Sequence, residues 1–119
     1  MITEVKIMDN EMTGVAMQMI LHAGDARLHI SEALKNVKQF DFEAAAEKMK
    51  QAEKELQQAH QFQTNVIQEE AGGVKHELHI LFIHAQDTLM TIKSEYELAR
   101  QLIDIAQAFD QRLKKVEEN

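Results

Sequence analysis

Apolar residues recur at every third or fourth position through three long segments of the chain, which is the spacing of amphipathic α-helices. The first segment covers about residues 10–37, and its apolar stripe is Val15, Met19, Ala23, Ala26 and Ile30. The second covers about residues 42–70 and carries a narrower stripe between polar residues: Ala45, Met49, Ala52, Leu56, Ala59, Phe62 and Val66. Each segment is predicted to bury one face and to leave the other in water.

The third segment, about residues 75–116, is apolar around most of its circumference. One stripe is Leu78, Phe82, Ala85, Leu89, Ile92, Tyr96, Ala99, Ile103 and Ala106, extended by Phe109, Leu113 and Val116. Ile80, Ile83 and Met90 point elsewhere. A helix that is apolar on most sides is buried on most sides, so this second set favours a homo-oligomer. Scattered exposed apolar residues, which monomers also have, are the alternative.

Two breaks separate the segments. In "KQFDFEAA", Asp41 is a good N-cap, and Phe40 and Phe42 are expected to anchor the turn. In "EEAGGVK", Gly72 and Gly73 allow the chain to reverse. Because short connections make neighbouring helices antiparallel, the predicted fold is all-α: a single domain, residues 1–119, forming an antiparallel up-down-up three-helix bundle.

Composition narrows the functional classes. The net charge of −7 argues against a nucleic-acid or anionic-membrane partner. The chain has no cysteine, so disulfides, a thiolate nucleophile and a cysteine-type zinc site are excluded. The first residues do not have the pattern of a signal peptide, and no stretch of about 20 apolar residues would span a bilayer. These features fit a cytoplasmic protein.

The stretch "HAQDTLM", residues 84–90, places polar residues inside the most apolar segment. On a helix, His84, Asp87 and Thr91 share one side, and Thr88 lies one turn from His84. This ridge runs near the second apolar set and is expected at the subunit interface. There, Asp87 must pair, become protonated or bind a metal. Copies of Asp87 around a rotation axis would suit Mg²⁺, whereas a hydrogen bond to a neighbouring helix is the structural alternative.

The other five histidines carry weaker signals. His22, His29 and His60 lie in helical segments without a partner motif and are interpreted as packed or surface residues. His76 and His79, three positions apart near the predicted start of the third helix, could hold a transition metal but lack a third convergent ligand. For His84, a functional role and a histidine satisfied by the core remain equally open from the pattern.

Four sequence blocks together resemble the lactose/chitobiose-type IIA proteins of the bacterial phosphoenolpyruvate-dependent sugar phosphotransferase system. They are "HAGDARLHISEAL", "FDFEAAAEKM", "AHQFQTNVIQEEAGG" and "HAQD" followed after one residue by "LMT". The resemblance covers most of the chain and preserves the order and spacing of the blocks. It implies a cytoplasmic homotrimer of three-helix subunits, which reaches the membrane only indirectly, through the IIC permease.

The resemblance also implies roles for individual residues. His84 would accept a phosphoryl group from the histidine phosphocarrier protein as tele-phosphohistidine. It would pass the group to a cysteine of the IIB component during uptake of a β-linked disaccharide. Gln86 would contact the phosphoryl group from a neighbouring subunit. Asp87 of each chain would bind one Mg²⁺ per trimer on the threefold axis.

Thr88 departs from the family pattern, which has a second histidine at that position. Thr88 keeps a hydroxyl but lacks the imidazole, so transfer is expected to be weaker unless another donor substitutes. The residue types otherwise suit a transient carrier. Imidazole is a nucleophile that is neutral near pH 7, and neutral donors such as Gln86 and Thr88 bond phosphate oxygens without trapping the group. Residues 76–92 contain no Lys or Arg.

Two other functional classes compete with a phosphocarrier. One is a helical adaptor in which His84 is structural, and the other is a metal-binding bundle that uses His76 and His79. A nucleotide-dependent kinase is not predicted, because the chain has no P-loop and no other glycine-rich phosphate cradle. The sequence does not identify the sugar.

Overall fold

A computed structural model describes residues 9–77 and 79–119, without the side chains of Asp9 and Asn10. Three α-helices account for most of these residues: α1, Asp9–Lys38; α2, Phe42–Ala71; and α3, Ile80–Glu118. The described ranges contain no β-strand. The prediction of an all-α chain with three helices is confirmed. Within the described residues, no helix combines the length and the apolarity that crossing a bilayer requires.

The core lies along the three predicted stripes. Its buried apolar residues are Met12, Ala16, Met19, Ala23, Ala26, Ile30 and Ala33 of α1; Ala45, Met49, Ala52, Leu56, Ala59 and Val66 of α2; and Phe82, Ala85, Leu89, Ile92, Tyr96, Ala99 and Ile103 of α3. Many of these residues are alanines, which let the helix backbones approach closely. Gln63 of α2 is also buried, although the sequence pattern placed no polar residue in the core.

The predicted extension of the α3 stripe is wrong. Phe109, Leu113 and Val116 are 64%, 51% and 71% exposed, and the last buried residue of α3 is Ile103. At about 100° per residue, Phe109 and Val116 lie on the outward side of α3, in line with the exposed Leu102 and Ile105. In addition, α3 has 39 residues whereas α1 and α2 have 30 each. The final turns of α3 therefore extend past the ends of α1 and α2, the other two helices that the structure describes.

Side-chain contacts fix the direction of α3 relative to α1. Near the beginning of both helices, Thr13 Oγ1 lies 3.3 Å from Nε2 of His79. Further along both, Arg27 makes two hydrogen bonds to the carboxylate of Glu95, at 2.9 and 2.7 Å. The contacts advance together along the two helices, so α1 and α3 run in the same direction.

Contacts between α1 and α2 occur in the reverse order. His22 of α1 lies 2.7 Å from Glu55, whereas Glu32, ten residues later in α1, lies 3.6 Å from Lys48. The α2 partner moves backward along the sequence as the α1 residue moves forward. The two helices therefore run in opposite directions.

The first connection largely matches its prediction. Asp41 caps α2, and its side chain accepts a 3.1 Å hydrogen bond from the main-chain N–H of Ala44. Phe42 packs against the core, as expected for an anchor. Phe40 is 60% exposed and does not reach the core, but its ring lies edge-on to the ring of Phe42, with the centroids 6.3 Å apart. Phe42 therefore anchors the turn in the core, and Phe40 packs on Phe42.

The second connection is longer than predicted. The N–H of Gly72 caps α2 by bonding to the carbonyl of Gln68, and Gly73 adopts a φ of 98°, which favours glycine. The third helix was predicted to begin at about Lys75, but α3 begins at Ile80. Residues 74–77 and His79 have no helical structure, and Leu78, predicted to begin the core stripe, lies outside the described residues.

Candidate functional site

His79 sets the beginning of α3. Its Nδ1 accepts a 3.4 Å hydrogen bond from the main-chain N–H of Phe82, as an N-cap side chain does. A neutral imidazole that accepts at Nδ1 carries its proton on Nε2, so Nε2–H is the donor to the Thr13 hydroxyl. Both ring nitrogens are therefore engaged. Sequence reasoning missed this cap because histidine is not among the residues that commonly cap helices.

His76 and His79 both precede α3, so the helical spacing on which their pairing was predicted does not apply to them. The His76 side chain is only 4% exposed, and its Nε2 lies 3.3 Å from a carboxylate oxygen of Glu69 without the alignment of a hydrogen bond. Within residues 9–77 and 79–119, no three His, Asp or Glu side chains are placed to hold a metal ion. The described residues of one chain therefore offer no transition-metal centre at this connection.

His84 lies in the second turn of α3 with its side chain exposed, while the next residue, Ala85, is completely buried. The observed start at Ile80 places His84 only four residues from the first residue of the helix. Helical side chains tilt toward the N-terminus, so the imidazole lies over the first turn. The positive end of the helix dipole is strongest there and favours a negatively charged group.

Asp87 and Thr88 lie one turn beyond His84. Asp87 is exposed and lies on the same outward side of α3 as His84. Thr88 is half-buried, and its hydroxyl donates a 2.9 Å hydrogen bond to the main-chain carbonyl of His84. The structure thus brings His84, Asp87 and Thr88 together on adjacent turns, with the Thr88 hydroxyl already bonded.

Gln86 does not join this group within one chain. Two residues along a helix correspond to a rotation of about 200°, so Gln86 points away from the His84 side of α3. It is half-buried and lines a cavity of about 290 Å³ together with His76, His79 and Glu70. A Gln86 amide could therefore meet a His84 imidazole only if the two residues belonged to different chains.

The remaining histidines have structural surroundings. His22 Nδ1 lies 2.7 Å from Glu55, and its ring stacks on Phe62 with the centroids 6.1 Å apart. His29 Nδ1 lies 3.2 Å from Glu32, one turn further along α1. His60 is exposed and lines the groove between α2 and α3. These surroundings agree with the interpretation of the three as packed or surface histidines.

Two polar contacts that the sequence pattern did not indicate hold α3 against its neighbours. Tyr96 donates a 3.1 Å hydrogen bond to Glu53 of α2, and burial, followed by this bond, raises the pKa of the phenol. The hydrogen bonds from Arg27 to Glu95 raise the pKa of the Arg27 guanidinium. Both members of that pair are about half exposed, so it stabilises the fold by no more than about 1 kcal/mol.

The family model described as "PTS system, Lactose/Cellobiose specific IIA subunit" matches residues 14–107, including the His84–Thr88 turns. The chain belongs to this family. The lichenan-specific phosphotransferase enzyme IIA component of Bacillus subtilis (strain 168) is 41% identical over 98 residues, which are 82% of this chain and 89% of that protein. This chain is thus a phosphotransferase component, a member of a class of proteins that relay phosphoryl groups in sugar uptake.

Solved structures agree with this assignment. The crystal structure of the PTS cellobiose-specific enzyme IIA from Bacillus anthracis has a TM-score of 0.78 and 41% identity, covering 82% of this chain and 90% of that one. Solution structures of the IIA(Chitobiose)–HPr complex from Escherichia coli give a TM-score of 0.74 and 36% identity, covering 83% of this chain and 96% of that one. The helical arrangement is thus shared with IIA proteins of the same class.

Proposed function

We propose that this chain accepts a phosphoryl group from the histidine phosphocarrier protein on His84 and passes it to a cysteine of a cognate IIB component. The transfer would take place in the cytoplasm during uptake of a β-linked disaccharide. The observation that carries this proposal is the exposed imidazole of His84 over the first turn of α3, next to Thr88 and Asp87. The structure of a IIA protein that is 36% identical was solved in complex with HPr, the histidine phosphocarrier protein. That complex supports this protein as the phosphoryl donor.

The proposed chemistry is two successive displacements at phosphorus. The neutral Nε2 of His84 attacks, a new N–P bond forms, and the bond between phosphorus and the donor's histidine nitrogen breaks. In the second step, the IIB thiolate attacks, an S–P bond forms, and the His84 N–P bond breaks, which returns a neutral imidazole. The protein contributes position and electrostatics, as is usual in phosphoryl transfer. The nearby dipole end of α3 favours the phosphorylated state.

We further propose that three up-down-up subunits assemble around α3. Ile80, Ile83 and Met90, the second apolar set, are 80%, 40% and 54% exposed in one chain. Packing against another chain would remove these side chains from water. Three α3 helices around an axis would bury them. The same arrangement would bring Gln86 of one chain toward His84 of the next, a contact that the geometry of α3 forbids within one chain.

The proposed assembly also fits one Mg²⁺. Asp87 is an exposed carboxylate on the outward side of α3, and Mg²⁺ prefers oxygen ligands. Within the described part of a single chain no three-ligand site exists, so the ion would need Asp87 from each of three chains. Bound there, it would offset the repulsion among the three carboxylates, a structural role.

The test is the intact mass of the protein after incubation with phosphoenolpyruvate, enzyme I and the histidine phosphocarrier protein. We expect one acid-labile phosphate, lost in His84→Gln and retained in His60→Gln, a matched change at another exposed histidine. Adding the IIB component should remove the label. A phosphate that persists in His84→Gln contradicts the assignment of His84, and no phosphate on the unmodified chain favours an adaptor.

A further inference from the structure

His79 holds the first turn of α3 through both its main chain and its side chain. Its carbonyl oxygen accepts a 3.1 Å hydrogen bond from the N–H of Ile83, and its Nδ1 accepts a 3.4 Å hydrogen bond from the N–H of Phe82. Its φ of −125° and ψ of 108° are extended, as is usual for an N-cap residue. Two of the main-chain amides at the beginning of α3 are therefore bonded to His79.

The N–H groups of Ile80 and Leu81 precede the first hydrogen bond inside α3. No helical carbonyl lies four residues before them, so they point out of the N-terminal end of the helix. His84 follows Ile80 by four residues and Leu81 by three, and its side chain therefore lies over this pair. A phosphoryl group on His84 would bring negatively charged oxygens toward these N–H groups, which favour an anion.

The ring of His79 is itself held in place by α1. Its Nε2 lies 3.3 Å from Oγ1 of Thr13, and the tautomer that accepts at Nδ1 carries its proton on Nε2 and donates there. This contact joins the beginnings of two helices that are 66 positions apart in the chain. The first turn of α3 is therefore fixed by a bond to another helix as well as by α3 itself.

We infer that His79 is a positioning residue of the phosphoryl relay. By capping α3, it holds the N–H groups of Ile80 and Leu81 where they donate to the oxygens of a phosphoryl group on His84. This inference rests on the proposed function of His84. Without the cap, the first turn frays and these amides no longer face the phosphoryl group at fixed positions. The loss of His79 should therefore disfavour the phosphorylated state in addition to destabilising the fold.

The equilibrium of phosphoryl exchange with the histidine phosphocarrier protein tests this role. The phosphorylated carrier protein is mixed with this chain, and intact mass gives the fraction of each protein that carries phosphate. We expect the equilibrium constant for transfer to this chain to fall about threefold in His79→Ala, the size of effect that a helix N-terminus has on a nearby anion. His79→Asn, which can still accept from the N–H of Phe82, should recover most of that loss.

Asp41→Ala is the matched control, because it removes the N-cap of α2. Asp41 follows the end of α1, whereas His79 lies beside Thr13 near the beginning of α1, so the two caps are at opposite ends of the bundle. Asp41→Ala should destabilise the fold by a similar amount and leave the exchange equilibrium unchanged. Circular dichroism of each variant establishes that folded chains are compared.

Amide NMR spectra give a second measurement, which the unmodified chain alone can supply. Phosphorylation of His84 should move the N–H proton resonances of Ile80 and Leu81 downfield, because each amide gains a charged acceptor. The same movement should be small in His79→Ala and restored in His79→Asn. A side chain with a purely structural role would not alter this signature in a folded chain.

Three results would overturn the inference. One is an exchange equilibrium that is the same in His79→Ala and in the unmodified chain. Another is an equal fall in His79→Ala and Asp41→Ala, which would trace the effect to stability alone. The third is that the amide resonances of Ile80 and Leu81 do not move while His84 carries phosphate. In all three cases His84 is phosphorylated, so the proposed function stands. An unmodified chain that takes up no phosphate would instead contradict the proposed function, and this inference with it.

Discussion

The hydroxyl of Thr88 donates a 2.9 Å hydrogen bond to the main-chain carbonyl oxygen of His84. A threonine inside a helix often bonds in this way to the carbonyl four residues earlier. Its hydroxyl hydrogen is therefore already engaged before any phosphoryl group arrives. To serve the relay, the hydroxyl must rotate from the carbonyl to a phosphoryl oxygen.

This geometry limits the expected contribution of Thr88 to transfer. A hydrogen bond from the Thr88 hydroxyl to a charged phosphoryl oxygen contributes about 1.5–3 kcal/mol. Breaking the hydrogen bond to the His84 carbonyl costs about 1 kcal/mol of that gain. We therefore expect Thr88→Val to slow transfer to the IIB component about fivefold, since 1.36 kcal/mol of barrier is tenfold in rate. Thr88→His, which gives no such bond up, should speed transfer about fivefold, the equivalent of about 1 kcal/mol. Single-turnover rates measure both changes. If both variants transfer at the rate of the unmodified chain, residue 88 has no part in the relay.

Asp87→Leu is expected to keep the trimer, or to strengthen it, while Mg²⁺ binding is lost. Replacing clustered like charges at an apolar interface with hydrophobic side chains is often neutral or stabilising. Light scattering at micromolar concentration measures the assembly, and titration calorimetry with Mg²⁺ measures the ion. Asp110→Leu, a carboxylate near the far end of α3, is the matched control and should leave Mg²⁺ binding intact. Ion binding that survives in Asp87→Leu, or dissociation to monomers, contradicts the axial position.

The cap at His79 gives a prediction about stability. His79→Ala should lower the free energy of unfolding by about 1 kcal/mol, the usual contribution of an N-cap side chain. His79→Asn, which can still accept from Phe82 N–H, should recover most of that loss. Urea denaturation at one fixed protein concentration measures the differences, because an oligomer's stability depends on concentration. Equal stability of all three proteins would mean that α3 begins without help from this side chain.

Tyr96 gives a prediction about alkaline pH. Burial and the bond to Glu53 raise the pKa of Tyr96 in the folded state above its ordinary value of 10.0. The folded chain thus holds the phenol proton more tightly, so this contribution to stability is complete below about pH 10. It is lost as pH rises through the folded-state pKa.

Tyr96→Phe should accordingly cost about 0.5–1.5 kcal/mol at neutral pH, the net contribution of one hydrogen bond. The difference between the two proteins should shrink above pH 10, because phenylalanine does not ionise. Urea unfolding from pH 7 to 11.5 measures this change. A difference that stays constant over that range would mean that the phenol is not perturbed by folding.

The sequence by itself determined which segments are helical and which face of each is buried. The stripes from Met19 to Ile30 in α1 and from Ala45 to Val66 in α2 are buried where the periodicity placed them, except for Phe62, which is half-buried. Asp41 caps α2 as its position predicted. These features depend on residues within one or two helical turns, so a local pattern encodes them. The family resemblance was also present in the order of the short blocks, and it supplied residue roles that periodicity could not provide.

The tertiary structure decided where α3 begins and ends relative to its neighbours. Its start depends on His79, whose ring lies against Thr13, 66 positions earlier in the chain. Helical periodicity cannot predict a contact between residues so far apart in the sequence. Phe109 is exposed because it lies on the outward side of α3, in line with Leu102 and Ile105, which are exposed too. The opposite directions of Gln86 and His84 follow from the helix itself. Yet only the packed chain shows that Gln86 lines a cavity while His84 faces outward.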